Sequence, residues 1–220
     1  MTPLGVATAL WVIWALSWLV AAIWSSRPHS RAGLISQLPY RLITTAGFVL
    51  LFGFGRTDRH FVSLPQWVGW ILTILTAVGF GLAWWARLHL GKLWSAFVTR
   101  KDEHRVIETG PYGIVRHPIY TGIILAAVTI AILKANLYAL VGAFLIVVGF
   151  WIKARLEERF LSRELGLETY AGYRRRVPML IPSSPLDSLG TPWFSLPLGG
   201  DRKHPNLTFQ NFHRVPPSCL

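Results

Sequence analysis

Long uncharged apolar runs constrain this chain more than any other feature. The first run, Leu4–Trp24, contains no charged residue, and the whole chain is 52% hydrophobic with only 15% charged residues. Soluble domains carry about 25% charged residues, and a helix that crosses a bilayer needs about 20 consecutive apolar residues. Since an isolated strand cannot satisfy its backbone hydrogen bonds in lipid, we predict an all-α polytopic membrane protein.

The hydrophobic pattern predicts five transmembrane helices. They are Leu4–Trp24, Leu42–Gly55, Phe61–Ala86, Pro118–Leu133 and Ala135–Ile152. The second reaches spanning length only if Leu38–Arg41 is included, with the side chain of Arg41 snorkelling to the interface. The last two spans are separated only by Lys134, which predicts a helical hairpin with its turn at Lys134–Asn136.

The chain divides into three parts by composition. Residues 1–90 carry the N-terminal transmembrane helices, 91–182 form a core that contains the hairpin, and 183–220 form a tail rich in proline and glycine. Beyond the fifth span the sequence becomes amphipathic, from Lys153 to Tyr173, because apolar residues recur there at helical spacing between charges. Gly166 fits a helix C-cap, and a second short helix is expected at Leu167–Tyr173.

The net charge of +12 is distributed unevenly among the loops. The loops after the first and third spans and the segment after the fifth are the basic ones, with Arg27, Arg31 and Arg41 in the first of them. The positive-inside rule then places the N-terminus outside and the C-terminus in the cytoplasm. Nucleic acid is a poor partner, because the basic residues alternate with apolar spans instead of forming one patch.

Two polar features lie at one membrane face. One is the stretch "TGPYGIVRHPIYTG" at Thr109–Gly122, which leads into the fourth span, and the other is the acid pair Glu157–Glu158 beyond the fifth. The hairpin brings them together. Proline at a first helical turn marks a helix start, and the N-terminus of a helix favours an anion. Each residue alone has an ordinary interpretation as an interface aromatic, a basic anchor or an ion-pair partner, but their conjunction predicts a ligand site.

No metal signature accompanies this site. His104 and His117 are thirteen residues apart, and no cysteine or acidic residue stands at a matching ligand spacing. We therefore expect no metal.

The two features carry a family resemblance. "HRVIETGPYGIVRHPIYTG" followed by "EERFLSRELGLETYAGYRRRVPMLIP" resembles the isoprenylcysteine carboxyl methyltransferase and phospholipid methyltransferase superfamily, over about Leu90–Pro182. The resemblance implies a membrane methyltransferase with S-adenosyl-L-methionine as cofactor, held by a cytosolic C-terminal helical region. The cofactor-binding residues that it implies are His104, Arg105, Val106, Ile107, Tyr112, His117, Pro118, Ile119, Tyr120 and Glu157.

The resemblance also implies catalytic residues. Arg116 would steady the pocket and the cofactor carboxylate, and Glu158 or His117 would assist if the methyl acceptor were an amine that must lose a proton. Lys153 stands where the carboxyl methyltransferases have a substrate-facing arginine, and it offers a point charge instead of a bidentate fork. The acceptor would be a lipid or lipid-modified molecule that enters from the bilayer. Prenylated cysteine, a phospholipid amine, a small thiol and an unknown lipid all remain open.

Two other functions remain open at this stage. Sterol-type reductases have a similar C-terminal core and use NADPH, although no further basic pair dedicated to a 2′-phosphate is present in this sequence. A non-catalytic membrane scaffold would bind lipid or a partner through the same basic loop.

Overall fold

Six α-helices account for most of the chain that the structure, a computed structural model, describes. The described residues are 1–22, 30–31, 34–53, 63–91, 99–100, 108–164 and 167–182. The helices are α1 (Pro3–Ala22), α2 (Leu34–Gly53), α3 (Gln66–Leu90), α4 (Pro118–Lys134), α5 (Leu137–Glu164) and α6 (Leu167–Arg176). A 3₁₀ turn covers Gly110–Gly113, and two short strands are β1 (Ser30–Arg31) and β2 (Thr99–Arg100). The expected tail at 183–220 and the expected cofactor-lining stretch His104–Ile107 lie outside the described residues.

Five of the helices are apolar and correspond to the five predicted spans. Helices α1, α2, α3 and α5 are long and apolar enough to cross a membrane. Helix α4 has 17 residues, which is about 26 Å of helix and the low end of the spanning range. The prediction of an all-α polytopic membrane protein is confirmed.

Several helix boundaries differ from the predicted ones, and α3 covers Gln66–Leu90 instead of the predicted Phe61–Ala86. Helix α2 begins at Leu34, eight residues before Leu42, and Arg41 lies inside it. Its Nη2 donates to Oε1 of Gln37 at 2.9 Å, one turn earlier, so a polar side chain on the same helix supports this charge. Helix α5 continues past Ile152 to Glu164 without a break, because no glycine or proline follows Phe150 before its end.

The turn between α4 and α5 lies where the sequence predicts it. Ala135 adopts the left-handed conformation with φ 48°, and its N–H bonds to the carbonyls of Ala131 and Ile132. The side-chain Oδ1 of Asn136 then accepts from the N–H of Ala139 at 2.8 Å and caps the start of α5. We call this the turn end of the bundle, and we call the opposite end, where α4 begins, the site end.

Glycines bring the helices into close contact in two pairs. An added Cβ at Gly79 of α3 would lie 2.5 Å from the carbonyl oxygen of Gly122 in α4. An added Cβ at Gly47 of α2 would lie 2.8 Å from the carbonyl oxygen of Gly142 in α5. Small residues allow backbones to approach where lipid provides no hydrophobic drive for helix association. Helix α3 therefore packs on α4, and α2 packs on α5.

A short ladder joins two of the basic loops. Strands β1 and β2 pair antiparallel, with Ser30 opposite Arg100 and Arg31 opposite Thr99. The loop after α1 and the loop after α3 therefore lie at the same end of the bundle, as the alternation of basic loops in the sequence requires.

Candidate functional site

The turn before α4 is built around a buried tyrosine. Gly110 has φ +60°, and an added Cβ there would lie 2.9 Å from the imidazole of His89 at the end of α3, so the position requires glycine. Tyr112 follows within the 3₁₀ turn, and its backbone carbonyl accepts a 2.7 Å hydrogen bond from the hydroxyl of Tyr173 in α6. Burial raises the pKa of the Tyr112 and Tyr173 hydroxyls, so both phenols stay protonated.

The segment after α6 closes over the beginning of α4. His117 is the N-cap residue and Pro118 the first helical residue, as predicted. The N–H of Arg116 donates to the Pro178 carbonyl at 2.8 Å, and that of His117 donates to the Met179 carbonyl at 3.1 Å. The backbone donors of the two residues before the helix are thus satisfied by the chain itself, and residues 177–180 are held against the site.

Glu158 is the hub of the site and is only 2% exposed. Its Oε1 accepts from Nε of Arg116 at 2.7 Å and lies 3.3 Å from Nε2 of His117. Its Oε2 accepts no hydrogen bond from the described residues but lies 3.4 Å from Nε of Arg174. Arg116 also donates through Nη1 to the carbonyls of Arg174 and Val177. Glu158 and Arg116 together link α4, α5 and the end of α6.

Glu157 has different surroundings from its neighbour. Its Oε1 accepts a 2.6 Å hydrogen bond from the hydroxyl of Tyr120, and its Oε2 lies 3.6 Å from Nδ1 of His117. The side chain is 18% exposed, against 3% for that of Glu158. The rings of His117 and Tyr120 stack nearly parallel, with centroids 5.3 Å apart. Glu157 is therefore the acid of the pair that a ligand can reach.

Lys153 completes the group on α5. Its Nζ lies 4.9 Å from the ring centroid of Tyr120 and 5.8 Å from that of Tyr40 in α2. Glu157 and Arg41 are among the charged groups near it. The site therefore receives side chains from α2 as well as from α4 and α5.

The structure brings together most of the site residues that the sequence predicts. Arg116, His117, Tyr120, Lys153, Glu157 and Glu158 form one connected group. Pro118 and Ile119 are buried in the first turn of α4, and Tyr112 is linked to the group through Tyr173. His104, Arg105, Val106 and Ile107 lie outside the described residues.

Sequence reasoning missed several members of the group. The beginning of α4 is held by Tyr173, Arg174 and the carbonyls of residues 177–180. Their segment belongs to the sequence that resembles the family, but no role at the site was predicted for these residues. Gln37 and Tyr40 were missed on α2. The available signal was the four-residue spacing of Gln37 and Arg41, which puts both on one helix face.

The model of the isoprenylcysteine carboxyl methyltransferase family matches residues 61–163 of this chain, just under half of its length. The match runs from the segment before α3 almost to the end of α5. It includes the turn before α4 and the acid pair Glu157–Glu158.

Three curated proteins illustrate the similarity. The cobalt-zinc-cadmium resistance protein CzcN of Cupriavidus metallidurans is 31% identical over 139 residues, which are 60% of this chain and 56% of that protein. Protein-S-isoprenylcysteine O-methyltransferase B of Arabidopsis thaliana is 31% identical over 87 residues, which are 39% of this chain and 43% of that protein. Methanethiol S-methyltransferase 2 of Bradyrhizobium diazoefficiens is 44% identical over 73 residues, which are 32% of this chain and 26% of that protein.

The chain spans about half the length, or less, of these curated relatives. The family model covers the turn before α4 and the acid pair on α5. The family match and these relatives confirm that this integral membrane protein resembles the isoprenylcysteine carboxyl methyltransferase superfamily, with residues 61–163 as the matching part.

Proposed function

We propose that this chain is a membrane methyltransferase that uses S-adenosyl-L-methionine and acts on a membrane-embedded or hydrophobic acceptor. One observation carries the proposal. Glu157 of α5 is in contact with the His117–Tyr120 turn of α4, which joins the two motifs on which the family resemblance rests. The names of two relatives, a protein-S-isoprenylcysteine O-methyltransferase and a methanethiol S-methyltransferase, support the same reaction class.

The residues present fit this cofactor. Its amino group and ribose hydroxyls are donors, and they require acceptors at the site. A carboxylate has about four lone-pair positions, of which Glu157 uses one for the Tyr120 hydroxyl, and the side chain is partly exposed. We assign the amino group or ribose to Glu157. The backbone of His104–Ile107, together with Tyr112, Pro118 and Ile119, completes the proposed cofactor site.

S-adenosyl-L-methionine supplies a methyl group on a sulfonium, which is already an activated leaving group. The main task of the protein is therefore to align the acceptor, an effect worth about 7–11 kcal/mol in favourable cases. Glu158 and Arg116 hold the helix ends in register, and the Tyr120 hydroxyl orients Glu157. Lys153, whose Nζ lies over the ring of Tyr120, would face the acceptor. For an amine acceptor, proton removal would fall to His117, because Glu158 is buried and paired with Arg116.

The proposal includes an orientation. The site end carries the basic loops, which the β1–β2 ladder holds together, and the positive-inside rule assigns such loops to the cytoplasm. The N-terminus is then outside, the C-terminus is cytoplasmic, and the acceptor reaches the site sideways from the bilayer.

A binding measurement tests the function and its alternatives. We expect the purified protein in detergent to bind S-adenosyl-L-methionine saturably by calorimetry, and Glu157→Gln to weaken binding at least tenfold. The expected loss is about 1.4 kcal/mol, which is the size of one hydrogen bond to a charged group. Arg159→Gln is the matched control, because Arg159 is exposed on the same helix two residues later, and it should bind like the wild type.

The same binding measurement distinguishes the two alternative functions. Saturable binding of NADPH, without binding of S-adenosyl-L-methionine, would favour the sterol-type reductase. Binding of neither would favour the scaffold. A Glu157→Gln variant with wild-type affinity would show that the cofactor site has been assigned to the wrong residues.

A further inference from the structure

An exposed histidine in the last turn of α3 contacts the turn before α4, residues 109–113. Nε2 of His89 lies 2.9 Å from Oγ1 of Thr109, within hydrogen-bond distance. An added Cβ at Gly110 would lie 2.9 Å from the same imidazole. The imidazole also stacks on the ring of Tyr112, with centroids 6.4 Å apart and 27° between the planes. His89 therefore contacts the turn at three of its five residues.

The end of α3 from which His89 extends is itself held in place. Arg87 is 4% exposed. It donates through Nη1 to the Gly91 carbonyl at 2.9 Å and through Nη2 to the Ala21 carbonyl in α1 at 2.8 Å. Carbonyls at helix ends lack partners within their own helix, so these bonds fix the ends of α1 and α3 against each other. A contact made from such a rigid element holds its partner more precisely than one made from a loop.

Helix α6 holds the same turn from another side. The Tyr173 hydroxyl donates to the Tyr112 carbonyl at 2.7 Å, and Arg176 forms a 2.6 Å ion pair with Glu108, just before the turn. The bond between the two tyrosines is buried, so its loss would affect folding. The contact of His89 with Thr109 is exposed, and exposed substitutions change stability little. The α3 side of the turn can therefore be altered without unfolding the protein.

The sequence of the turn makes such outside support necessary. Two of its five residues are Gly110 and Gly113, and glycine has the greatest backbone freedom in an unconstrained chain. His89 contacts residues on both sides of Gly110. A segment that is fixed before its ligand arrives loses less conformational entropy on binding. A contact that fixes this turn can therefore raise ligand affinity without contacting the ligand.

We propose that His89 is a positioning residue, which holds the turn before α4 in the conformation that binds the cofactor. It acts through its hydrogen bond to Thr109 and its contact with the ring of Tyr112, and it has no role in the methyl transfer itself. The assignment of this turn to S-adenosyl-L-methionine rests on the proposed function, whereas the support of the turn by His89 does not. The site thus includes α3 as well as the hairpin.

The test measures the turn and the cofactor separately, on the full chain in detergent. The N–H groups of Tyr112, Ile114 and Val115 donate to carbonyls within the turn, so their hydrogen exchange reports its conformation. Without cofactor, His89→Ala should speed exchange in residues 109–115 about fivefold and leave the middle of α4 unchanged. By calorimetry it should weaken S-adenosyl-L-methionine about fivefold, as expected for one hydrogen bond between neutral groups. The free energy of unfolding by SDS should stay at the wild-type value.

Further variants separate the hydrogen bond from other effects. Thr109→Val removes the same bond from its other partner, and the double variant with His89→Ala should bind no more weakly than either single variant, because the two side chains act as a unit. His89→Gln keeps an amide within reach of Thr109 and should restore most of the affinity. Leu88→Ala is the matched control, because Leu88 is the preceding residue of α3 and 61% exposed. It should behave like the wild type in both measurements.

Several results would overturn the proposal. Equal behaviour of His89→Ala and Leu88→Ala would remove the role of His89. A fall in unfolding free energy that matches the loss of binding free energy would make that role purely structural. If Thr109→Val bound normally while His89→Gln stayed as weak as His89→Ala, the imidazole would contact the cofactor directly. A wild type that does not bind S-adenosyl-L-methionine would refute the proposed function, and the exchange data would still decide whether His89 supports the turn.

Discussion

Two lysines stand at opposite ends of the α4–α5 hairpin, and their surroundings differ in kind. At the turn end, Nζ of Lys134 donates to the carbonyl of Leu51 at 2.5 Å and lies 5.1 Å from the centroid of the Phe52 ring. Leu51 is in the last turn of α2, where backbone carbonyls have no partner within the helix. Lys134 therefore closes the end of a neighbouring helix.

Lys153, at the site end, contacts ring faces and lies in the field of charged groups. Tyr40 and Tyr120 present their faces to it, and Glu157 follows one turn later on the same helix. Apolar sequence precedes both lysines, and charged residues follow only Lys153. The comparison teaches that the partners differ: Lys134 bonds to a helix-end carbonyl, which stabilises the bundle, whereas Lys153 lies beside the acid pair, where we propose that it serves a ligand.

The largest effect should come from the hub at the site end. Glu158→Gln removes the charge that balances Arg116, whose side chain is 9% exposed. Breaking a buried ion pair by removing one partner costs about 3–5 kcal/mol. We expect the free energy of unfolding by SDS in mixed micelles to fall by that amount, and cofactor binding to be lost with it.

Glu157→Gln is the matched control for the loss of unfolding free energy, because it makes the same chemical change at the adjacent residue. Its partly exposed carboxylate should contribute much less to stability. Equal losses of unfolding free energy from the two variants would contradict the division between a structural and a ligand-facing acid.

A smaller effect is expected where α4 meets α3, just inside the site end. Gly122→Ala would place a Cβ against the Gly79 carbonyl and 3.0 Å from the backbone nitrogen of Ala83. Overpacking of this kind costs about 1–3 kcal/mol. The start of α4 should shift, so both the unfolding free energy and cofactor affinity should decrease.

Gly81→Ala provides the control, since an added Cβ at Gly81 meets nothing within 4 Å. It should leave both quantities unchanged or slightly raise stability, because alanine is the better helix former. A Gly122→Ala variant that behaves like Gly81→Ala would mean that the contact between α3 and α4 does not position the site.

The hairpin explains why much of the site could be predicted from sequence. Two apolar segments joined by a three-residue turn must be antiparallel, so Arg116–His117 and Glu157–Glu158 meet although about forty residues separate them. The contribution of α2 could not be read in this way. It depends on glycines of α2 and α5 that fit one another, and no property of either helix alone specifies that pairing.

The carbonyls of residues 177–180 were equally unpredictable, for a different reason. Their segment has no helical or strand periodicity, and it contributes backbone atoms instead of side chains. Residue types cannot indicate which carbonyls will satisfy the donors of Arg116 and His117. The predicted start of α2 was wrong because hydropathy counts Gln37 and Arg41 against a membrane helix. In the structure the two side chains hydrogen-bond to each other within the helix.

The smallest effect tests the comparison of the two lysines directly. Lys134→Met removes the donor to the Leu51 carbonyl, and hydrogen bonds of this kind in membranes average about 0.6 kcal/mol. We expect SDS unfolding to reveal a loss of about 1 kcal/mol when the interaction with the helix end is included, with unchanged affinity for S-adenosyl-L-methionine. Lys153→Met should do the reverse, with stability preserved and acceptor turnover reduced. If Lys134→Met impaired turnover as much as Lys153→Met at equal stability, the two ends of the hairpin would not have separate roles.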